Sequence, residues 1–227
     1  MDTIVVHHLE ESRSLRILWL LEELDLPYDV QLYRRHPKTM RAPPELKAIH
    51  PLGRAPVVVF GDRVLAESGA ITEFFVERFA PERLCPIAPS EREQYRFWMH
   101  YAEGSLMPPL LIKLLMSRVR SAKLPFFIKP IARRVADTLD QNYTDPELEN
   151  HFDFIEGALE SHPWLAGPSF SAADIQMSFP LQAGAERGRA GEGRPNIRAW
   201  IERIAARPAY QRAVARDRDA LASAASA

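Results

Sequence analysis

The pattern of apolar and polar positions in the first third of the chain alternates between strand and helix. Segments 3–7 and 29–33 are short, contain β-branched and aromatic residues, and predict two strands. Between them, apolar residues recur at helical spacing, at Ile17, Leu20, Leu21 and Leu24. This order predicts a β-α-β unit.

The next segment predicts the rest of the same domain. A proline pair at 43–44 begins a short helix, and Pro56 stands at the head of a strand over residues 57–60, where a proline is tolerated. A Gly-Asp turn leads into a return strand over 64–66, and a helix follows over about 67–79. The order β-α-β-α-β-β-α is that of a thioredoxin-like domain.

After residue 80 the pattern becomes helical. Several prolines and no periodicity between Ala80 and Ser90 predict a domain boundary. One face of a long helix then carries Tyr95, Trp98, Met99, Ala102 and Leu106. The proline pair at 108–109 is expected to end or kink this helix.

These patterns predict two domains of different class. The first is an α+β thioredoxin-like N-terminal domain over residues 1–80. A linker over 81–90 and an all-α helical-bundle domain over 91–227 follow. Within the second domain, Ser171 and Asp174 have the spacing of a capping box and are expected to start a buried helix.

Charge and cysteine content narrow the range of partners. The 227 residues carry 29 Lys and Arg against 30 Asp and Glu, a net charge of −1. Without a basic excess there is no electrostatic reason to expect nucleic acid or a membrane surface as a partner, and the Arg133-Arg134 pair is expected to be a solvated helix face. The chain shows no secretory signal pattern, and its single cysteine, Cys85, forms no internal disulfide. A cytoplasmic protein is therefore expected.

The histidines do not predict a metal site. His7, His8 and His36 lack the spacing of known Cys/His or His-Glu-x-x-His ligand sets. We therefore expect no bound metal.

The segment from Pro51 to Ser68 has the features of a site for a small anionic peptide. Pro56 opens a strand, a hairpin returns, and Glu67 with Ser68 then begins a helix. The positive end of a helix favours a carboxylate. An extended peptide with a carboxylate at one end would suit this arrangement.

Six segments resemble the glutathione S-transferases in order and spacing along nearly the whole chain. They are LEESRSLRILWLLEEL at 9–24, APPEL at 42–46, PLGRAPV at 51–57, ESGAI at 67–71, PWLAGPSFSAADI at 163–175 and RPNIRAW at 194–200. The resemblance implies the two-domain fold above, glutathione as co-substrate without a further cofactor, and a homodimer.

The resemblance also implies which residues activate the glutathione thiol. In serine-type relatives a serine in the turn before the first helix donates to the sulfur, but here Glu11 occupies the usual serine position and Ser12 follows it. We therefore predict Ser12 as the activating group, with Ser14 as second choice. Arg13 and Arg16 are noted as cationic helpers. The alternative is that either serine only caps the helix.

Further positions carry over as glutathione contacts. Glu67 and Ser68 match the family's contacts to the γ-glutamyl end, although an ordinary helix start would look the same. Ala55 would pair through its backbone with the cysteine of glutathione, next to a cis Ala55–Pro56 bond. Arg54 would be the cation beside it, or a solvated turn residue. Lys38 and Arg41 are weaker candidates for the glycyl carboxylate.

The second substrate is expected to be a hydrophobic electrophile bound against the helical domain. The candidates are Tyr95, Trp98, Met99, Glu103 and Leu106, although such a stripe is also typical of a core. The predicted function is glutathione transfer to that electrophile, with peroxide or disulfide reduction as a variant. The alternative is a non-catalytic binding or regulatory module of the same fold. A cysteine-type thiol oxidoreductase is disfavoured because the first helical turn contains no cysteine.

Overall fold

The structure, a computed structural model, describes residues 2–187 and 189–226. Its four strands are β1 (Ile4–Leu9), β2 (Asp29–Tyr33), β3 (Val57–Phe60) and β4 (Arg63–Ala66). The sheet order is β2-β1-β3-β4. Strand β1 pairs in parallel with β2 and antiparallel with β3, and β4 is the hairpin partner of β3.

Three helices complete this sheet in the order that the sequence predicts. They are α1 (Leu15–Glu23), α2 (Leu46–Ile49) and α3 (Ser68–Phe79). Helix α1 buries almost all of its length, including Ile17, Trp19 and Leu20, each at 0% exposure. The thioredoxin-like order is therefore confirmed, and the Ala55–Pro56 peptide bond is cis as predicted.

The remaining elements are helical. They are α4 (Pro89–Tyr101), α5 (Met107–Ser121), α6 (Lys129–Leu139), α7 (Asp145–Ser161), α8 (Ala172–Arg187), α9 (Pro195–Ala205) and α10 (Pro208–Ser226). Two wide π-helical turns join neighbouring helices, at Ala102–Leu106 before α5 and at Asp140–Thr144 before α7. None of the described helices is long and apolar enough to cross a membrane.

The proline pair predicted to end or kink the long helix falls just after the first π-helical turn. Pro108 and Pro109 occupy the start of α5. A proline has no N–H and is tolerated in the first turn of a helix, where that donor has no intrahelical partner. The wide turn therefore lets the helical path continue into α5 where the prolines would otherwise break it.

The chain forms two compact units. One lies within residues 1–87 and 203–227, and the other within residues 88–202. The first unit takes α10 from the end of the chain, which packs against α1. Trp19 contacts Tyr210 at 5.0 Å between ring centroids, and Arg207 forms an ion pair with Glu23. The predicted linker over residues 81–90 remains a prediction.

The predicted capping box begins α8. The Asp174 carboxylate accepts hydrogen bonds from the backbone N–H of Ser171 (3.0 Å), from that of Leu165 (3.0 Å) and from the indole of Trp200 (2.9 Å). Asp174 is fully buried, and burial raises the pKa of its carboxyl while these hydrogen bonds act in the opposite direction. The carboxylate therefore joins three segments of the second unit.

Asp174→Asn is expected to lower the free energy of unfolding by about 2–3 kcal/mol, because the amide has one acceptor oxygen for four buried donors, the Ser171 hydroxyl being the fourth. Chemical denaturation followed by circular dichroism measures this loss. The exposed Asp219→Asn is a matched control that should stay within about 0.5 kcal/mol of the wild type. Equal stability of the two variants would remove Asp174 from this structural role.

Candidate functional site

The turn between β1 and α1 is held by the hydroxyl of Ser14. Its Oγ accepts a hydrogen bond from the backbone N–H of Leu9 at 3.1 Å and lies 3.4 Å from the Leu9 carbonyl oxygen. Ser14 is fully buried. The second choice for the activating residue therefore fastens the start of α1 to the end of β1.

Ser12 lies in the same turn but is only half-buried. Its Oγ accepts a hydrogen bond from the backbone N–H of Ser14 at 3.2 Å and lies 2.5 Å from Ser14 Oγ. Each hydroxyl has one proton to donate. If Ser14 donates to Ser12, the Ser12 proton is available to a group outside the turn.

The opposite proton arrangement has a clear geometric consequence. If Ser12 donates to Ser14, the Ser14 proton is left with the Leu9 carbonyl oxygen at 3.4 Å, which is near the limit for a hydrogen bond. An anionic acceptor next to Ser12 favours the first arrangement, since a charge-assisted bond is stronger than that long contact. The pair can therefore pass hydrogen-bond donation outward from Ser14 through Ser12.

The first turn of α1 adds a positive field. The amides of Ile17 and Leu18 donate to the Ser14 carbonyl oxygen at 3.0 and 3.2 Å, so the helix is hydrogen-bonded from its first residues. The end of a helix that carries free N–H groups has a partial positive charge. A negative charge next to Ser12 would lie near that end.

Arg35 fixes the turn from the side of β2. Its guanidinium donates to the carbonyl oxygens of Glu10 (3.1 Å), Glu11 (3.1 Å) and Met40 (2.9 Å). Glu11 itself is exposed and has a left-handed φ of 47°. The sequence analysis did not identify Arg35. It could have been found from the parallel pairing of β1 and β2, because two parallel strands end at the same sheet edge and the residues that follow them lie close together.

The hairpin of β3 and β4 presents the second part of the site. Strand β3 begins beside β1, where Val57 is the register partner of His7. No hydrogen bond to the backbone of Ala55 is found in the part of the chain that the structure describes. The amide and carbonyl of this half-buried residue are thus open to an extended ligand. Arg54 next to it is exposed.

Glu67 and Ser68 form the third part of the site, at the start of α3. Glu67 is exposed and has φ 70° and ψ 118°, a conformation that side-chain-bearing residues rarely adopt. Ser68 is 4% exposed. Rare backbone conformations of this kind cost about 1–3 kcal/mol and cluster at ligand-binding positions. The left-handed turn and the helix N-terminus together form an anion-binding geometry.

Arg16 lies beneath this helix start. It is 1% exposed, and its Nη1 donates to the Ser68 hydroxyl at 3.2 Å. The sequence analysis noted Arg16 as a helper at the sulfur, whereas the structure places its guanidinium at Ser68. A buried cation there strengthens the positive potential at the N-terminus of α3, because interactions in a low-dielectric interior are less screened.

His7 on β1 and Tyr33 on β2 bring no charge to this part of the sheet at neutral pH. His7 Nδ1 is hydrogen-bonded to the Tyr33 hydroxyl at 2.8 Å. Burial lowers the pKa of His7 and raises the pKa of Tyr33, so both are neutral near pH 7. Neither side chain therefore adds a charge to the positive potential of Arg16 and the helix ends.

Lys38 and Arg41 lie in an exposed loop after β2. Backbone hydrogen bonds from His36 to Arg41 (2.9 Å) and from Met40 to His36 (2.8 Å) close this loop on itself. A hydrogen bond from the Arg35 guanidinium to the Met40 carbonyl oxygen links this loop to the Ser12 turn. A role for either cation at the glycyl carboxylate stays a prediction.

The five candidates for contacting the second substrate all lie in the second unit. Tyr95, Trp98, Met99 and Leu106 are buried, at 5%, 0%, 4% and 0% exposure, whereas Glu103 is half-buried. Trp98 packs against Phe97, Tyr101 and Phe154 with ring centroids 5.1–5.4 Å apart. Such burial is typical of a core, so Trp98 and Leu106 serve to pack this unit, and the electrophile contact stays a prediction.

No group of three or more potential metal ligands comes together among His, Cys, Asp and Glu of residues 2–187 and 189–226. The first unit carries three features that suit a peptide ligand. These are a serine pair with a proton to donate, an open backbone edge at Ala55, and a helix start with a buried cation. This combination favours binding of an extended anionic thiol peptide.

Comparison with known proteins agrees with this geometry. A model of the glutathione S-transferase N-terminal domain matches residues 12–78, and a model of the C-terminal domain matches residues 115–208. Glutathione S-transferase 1 of Saccharomyces cerevisiae is 40% identical over 219 residues, which cover 92% of this chain and 93% of that protein. The chain belongs to the glutathione S-transferase family.

Two other members of the glutathione S-transferase family are also similar to this chain over most of their length. Glutathione S-transferase 3 of Schizosaccharomyces pombe is 36% identical over 91% of this chain and 84% of its own length. The crystal structure of a glutathione S-transferase from Actinobacillus pleuropneumoniae has a TM-score of 0.75 and 34% identity, covering 93% of this chain and 91% of that one. The resemblance seen in the sequence is thereby confirmed, as are the fold class and the assignment to this enzyme family.

Proposed function

We propose that this glutathione S-transferase binds glutathione across the edge of its first unit and activates the thiol through the hydroxyl of Ser12. The observation that carries the proposal is the Ser14–Ser12 pair, in which the buried hydroxyl is held by Leu9 and the half-buried one has a proton to donate. A thiolate that accepts this hydrogen bond is stabilised relative to the thiol, so its pKa falls.

The γ-glutamyl end is proposed to lie at the start of α3. Its carboxylate would accept hydrogen bonds from the Ser68 hydroxyl and the first amides of the helix, with the Arg16 guanidinium behind them. The exposed Glu67 carboxylate would face the amino group. The backbone of the glutathione cysteine would pair with the open amide and carbonyl of Ala55. Arg54, the exposed residue before Ala55, would be the cation beside it.

The proposed reaction follows from thiolate stabilisation. On binding, the thiol releases its proton to water, and the sulfur lone pair then forms a carbon–sulfur bond with the electrophile. In a substitution the leaving group departs with the electron pair of the bond that breaks. For a hydroperoxide, two glutathione molecules would be oxidised to the disulfide while the peroxide is reduced to an alcohol and water.

Three further predictions accompany the proposal that the protein is an active glutathione S-transferase. We propose a homodimer, a cytoplasmic location and a hydrophobic second substrate. Glutathione serves as the co-substrate. A purely binding or regulatory role finds no support in the relatives, which are named as transferases.

Glu67→Ala and Ser68→Ala are each expected to weaken glutathione binding about ten- to a hundredfold, because a hydrogen bond to a charged group contributes about 1.5–3 kcal/mol. Isothermal titration calorimetry measures the affinity, and circular dichroism checks the fold. The exposed Glu93→Ala, on α4 of the second unit, is the control and should bind glutathione as the wild type does. Unchanged affinity in both variants would remove the start of α3 from the site.

The function as a whole is tested by retention on immobilised glutathione followed by conjugation of a generic aryl halide. Binding together with turnover supports the proposal. Retention without turnover toward the aryl halide or a hydroperoxide would favour the binding module, and no retention would remove the proposed site.

A further inference from the structure

The helical hairpin formed by α5 and α6 carries an unusual concentration of positive charge. Residues 104–136 contain seven Lys and Arg and no Asp or Glu, although the whole chain has 29 basic against 30 acidic residues. The net charge of −1 therefore hides a basic segment in the second unit. We call this segment, residues 104–136, the basic hairpin.

The tip of the basic hairpin is exposed and apolar. All nine residues from 123 to 131 are exposed. They include Leu124, Phe126, Phe127, Ile128 and Ile131, with Phe126 at 86% and Phe127 at 63%. Single exposed apolar side chains are ordinary, but a contiguous patch of this kind marks an interaction site.

The apolar surface continues along α6 as a stripe. Ile128, Ile131 and Val135 are exposed by 40%, 65% and 60%, and Leu139 continues the same three- and four-residue spacing. At 100° per residue these four positions share one side of the helix, with Arg134 on one flank and Lys129 on the other, whereas Arg133 lies on the opposite side of the helix. An apolar stripe flanked by cations is typical of helices that lie in a membrane interface.

Five of the seven cations remain available to a partner. Lys113 and Arg120 are held by carboxylates, Lys113 by Asp145 and Arg120 by Asp137 and Asp140. The other five are exposed and have no ion pair among the described residues; they are Arg118, Lys123, Lys129, Arg133 and Arg134. Three of them line one open groove of about 630 Å³ together with Phe126.

We propose that the basic hairpin docks this enzyme onto a membrane surface that contains acidic phospholipids. Phe126 and Phe127 enter the interfacial layer, the stripe on α6 lies along it, and the cations beside the tip and the stripe, Lys123, Lys129 and Arg134, contact the headgroup phosphates. Both signals are needed, since electrostatic attraction and buried apolar area add in interfacial binding. The sequence analysis expected no membrane partner because it considered the net charge of the whole chain.

A second copy of the chain fits this surface less well. A two-fold contact that uses this patch on both copies would bring two sets of its cations, Arg133 and Arg134 among them, into one interface. Like charges across an interface oppose association. Nucleic acid would satisfy the cations but not the contiguous aliphatic and aromatic tip. An anionic lipid surface satisfies both.

The test is co-sedimentation of the full-length protein with phosphatidylcholine vesicles, with and without phosphatidylserine, at low and high salt. We expect sedimentation only with phosphatidylserine, and release by salt. Lys129→Gln with Arg134→Gln should weaken the partition about thirtyfold, since each cation near an anionic surface contributes about fivefold. Phe126→Ser with Phe127→Ser should weaken it at least tenfold. Arg92→Gln with Arg96→Gln, two exposed cations of α4, is the matched control and should bind as the wild type does.

Glutathione affinity and light scattering are measured on every variant. Unchanged glutathione affinity together with lost vesicle binding supports the proposal and separates it from a folding defect or a failure of the glutathione site. Sedimentation that is absent, or that survives both hairpin variants, would overturn it. Conversion of a dimer into monomers by the hairpin variants, without vesicle binding of the wild type, would instead assign the surface to contact between copies. Salt-dependent binding of an RNA homopolymer that the phenylalanine variant retains would assign it to nucleic acid.

Discussion

Ser12→Ala is expected to lower turnover at neutral pH by about ten- to a hundredfold, because it removes the hydroxyl proposed to donate its proton to the glutathione sulfur. A hydrogen bond to a charged acceptor contributes about 1.5–3 kcal/mol, which corresponds to a rise of about one to two units in the pKa of the bound thiol. Below that pKa, each unit of increase reduces the thiolate fraction tenfold. Glutathione affinity should change little, since the γ-glutamyl contacts remain.

The pH–rate profile of kcat is the deciding measurement, because it reports the ionisation of bound glutathione rather than its binding. Its acidic limb should move to higher pH in Ser12→Ala. Ser12→Thr keeps the hydroxyl and should retain most of the wild-type profile. A profile that does not move in Ser12→Ala would show that the helix N-terminus or Arg13 activates the thiol.

Ser14→Ala distinguishes a positioning role from direct donation. The Ser14 hydroxyl holds the Leu9 backbone and contacts Ser12, so its loss should lower the free energy of unfolding by about 1–3 kcal/mol. It should also move the pH–rate profile, but less than Ser12→Ala does. A larger shift in Ser14→Ala than in Ser12→Ala would reverse the two roles.

Arg16→Met is expected to weaken glutathione binding by about a hundredfold. The guanidinium donates to Ser68, so it would lie within about 6 Å of the proposed γ-glutamyl carboxylate, where two opposite charges attract by about 3 kcal/mol at an effective dielectric constant of about 20. Methionine has a similar length and no charge, so it removes the cation while filling much of the same volume. Circular dichroism of the variant checks that the fold is kept.

Calorimetry with two ligands locates the effect of Arg16. Glutathione should bind Arg16→Met more weakly than the wild type, whereas cysteinylglycine, which lacks the γ-glutamyl residue, should bind both proteins equally. Arg16→Lys keeps a cation and should show a smaller loss with glutathione. An equal loss with both ligands would mean that Arg16 only supports the fold.

The parts of the site that follow local rules could be predicted from the sequence. Pro56 can only head a strand, a Gly-Asp pair makes the turn after β3, and Glu67 with Ser68 begins the helix after the hairpin; each feature depends on a few neighbouring residues. The burial of Ser14 and the partial exposure of Ser12 could not be predicted, because two serines in one turn do not show by their spacing which of them points inward.

Features that depend on distant contacts were missed or misread. Arg35 fixes the Ser12 turn from another strand, and Arg16 reaches Ser68 from another helix, 52 positions away. Helical periodicity identified the stripe containing Trp98, but a period does not tell which neighbour covers a face. The net charge of the whole chain likewise gave no sign of the basic hairpin, because acidic residues elsewhere in the chain balance its cations.

The position of α10 has a consequence for how the enzyme is made. The first unit contains the earliest strands of the chain, yet its helix α1 is covered by the last helix, with Tyr210 on Trp19 and Arg212 on Glu22. A growing polypeptide therefore cannot complete the first unit until α10 has left the ribosome. The second unit, whose residues 88–202 precede α10, can assemble before then, so the unit that begins first along the chain is completed after the other.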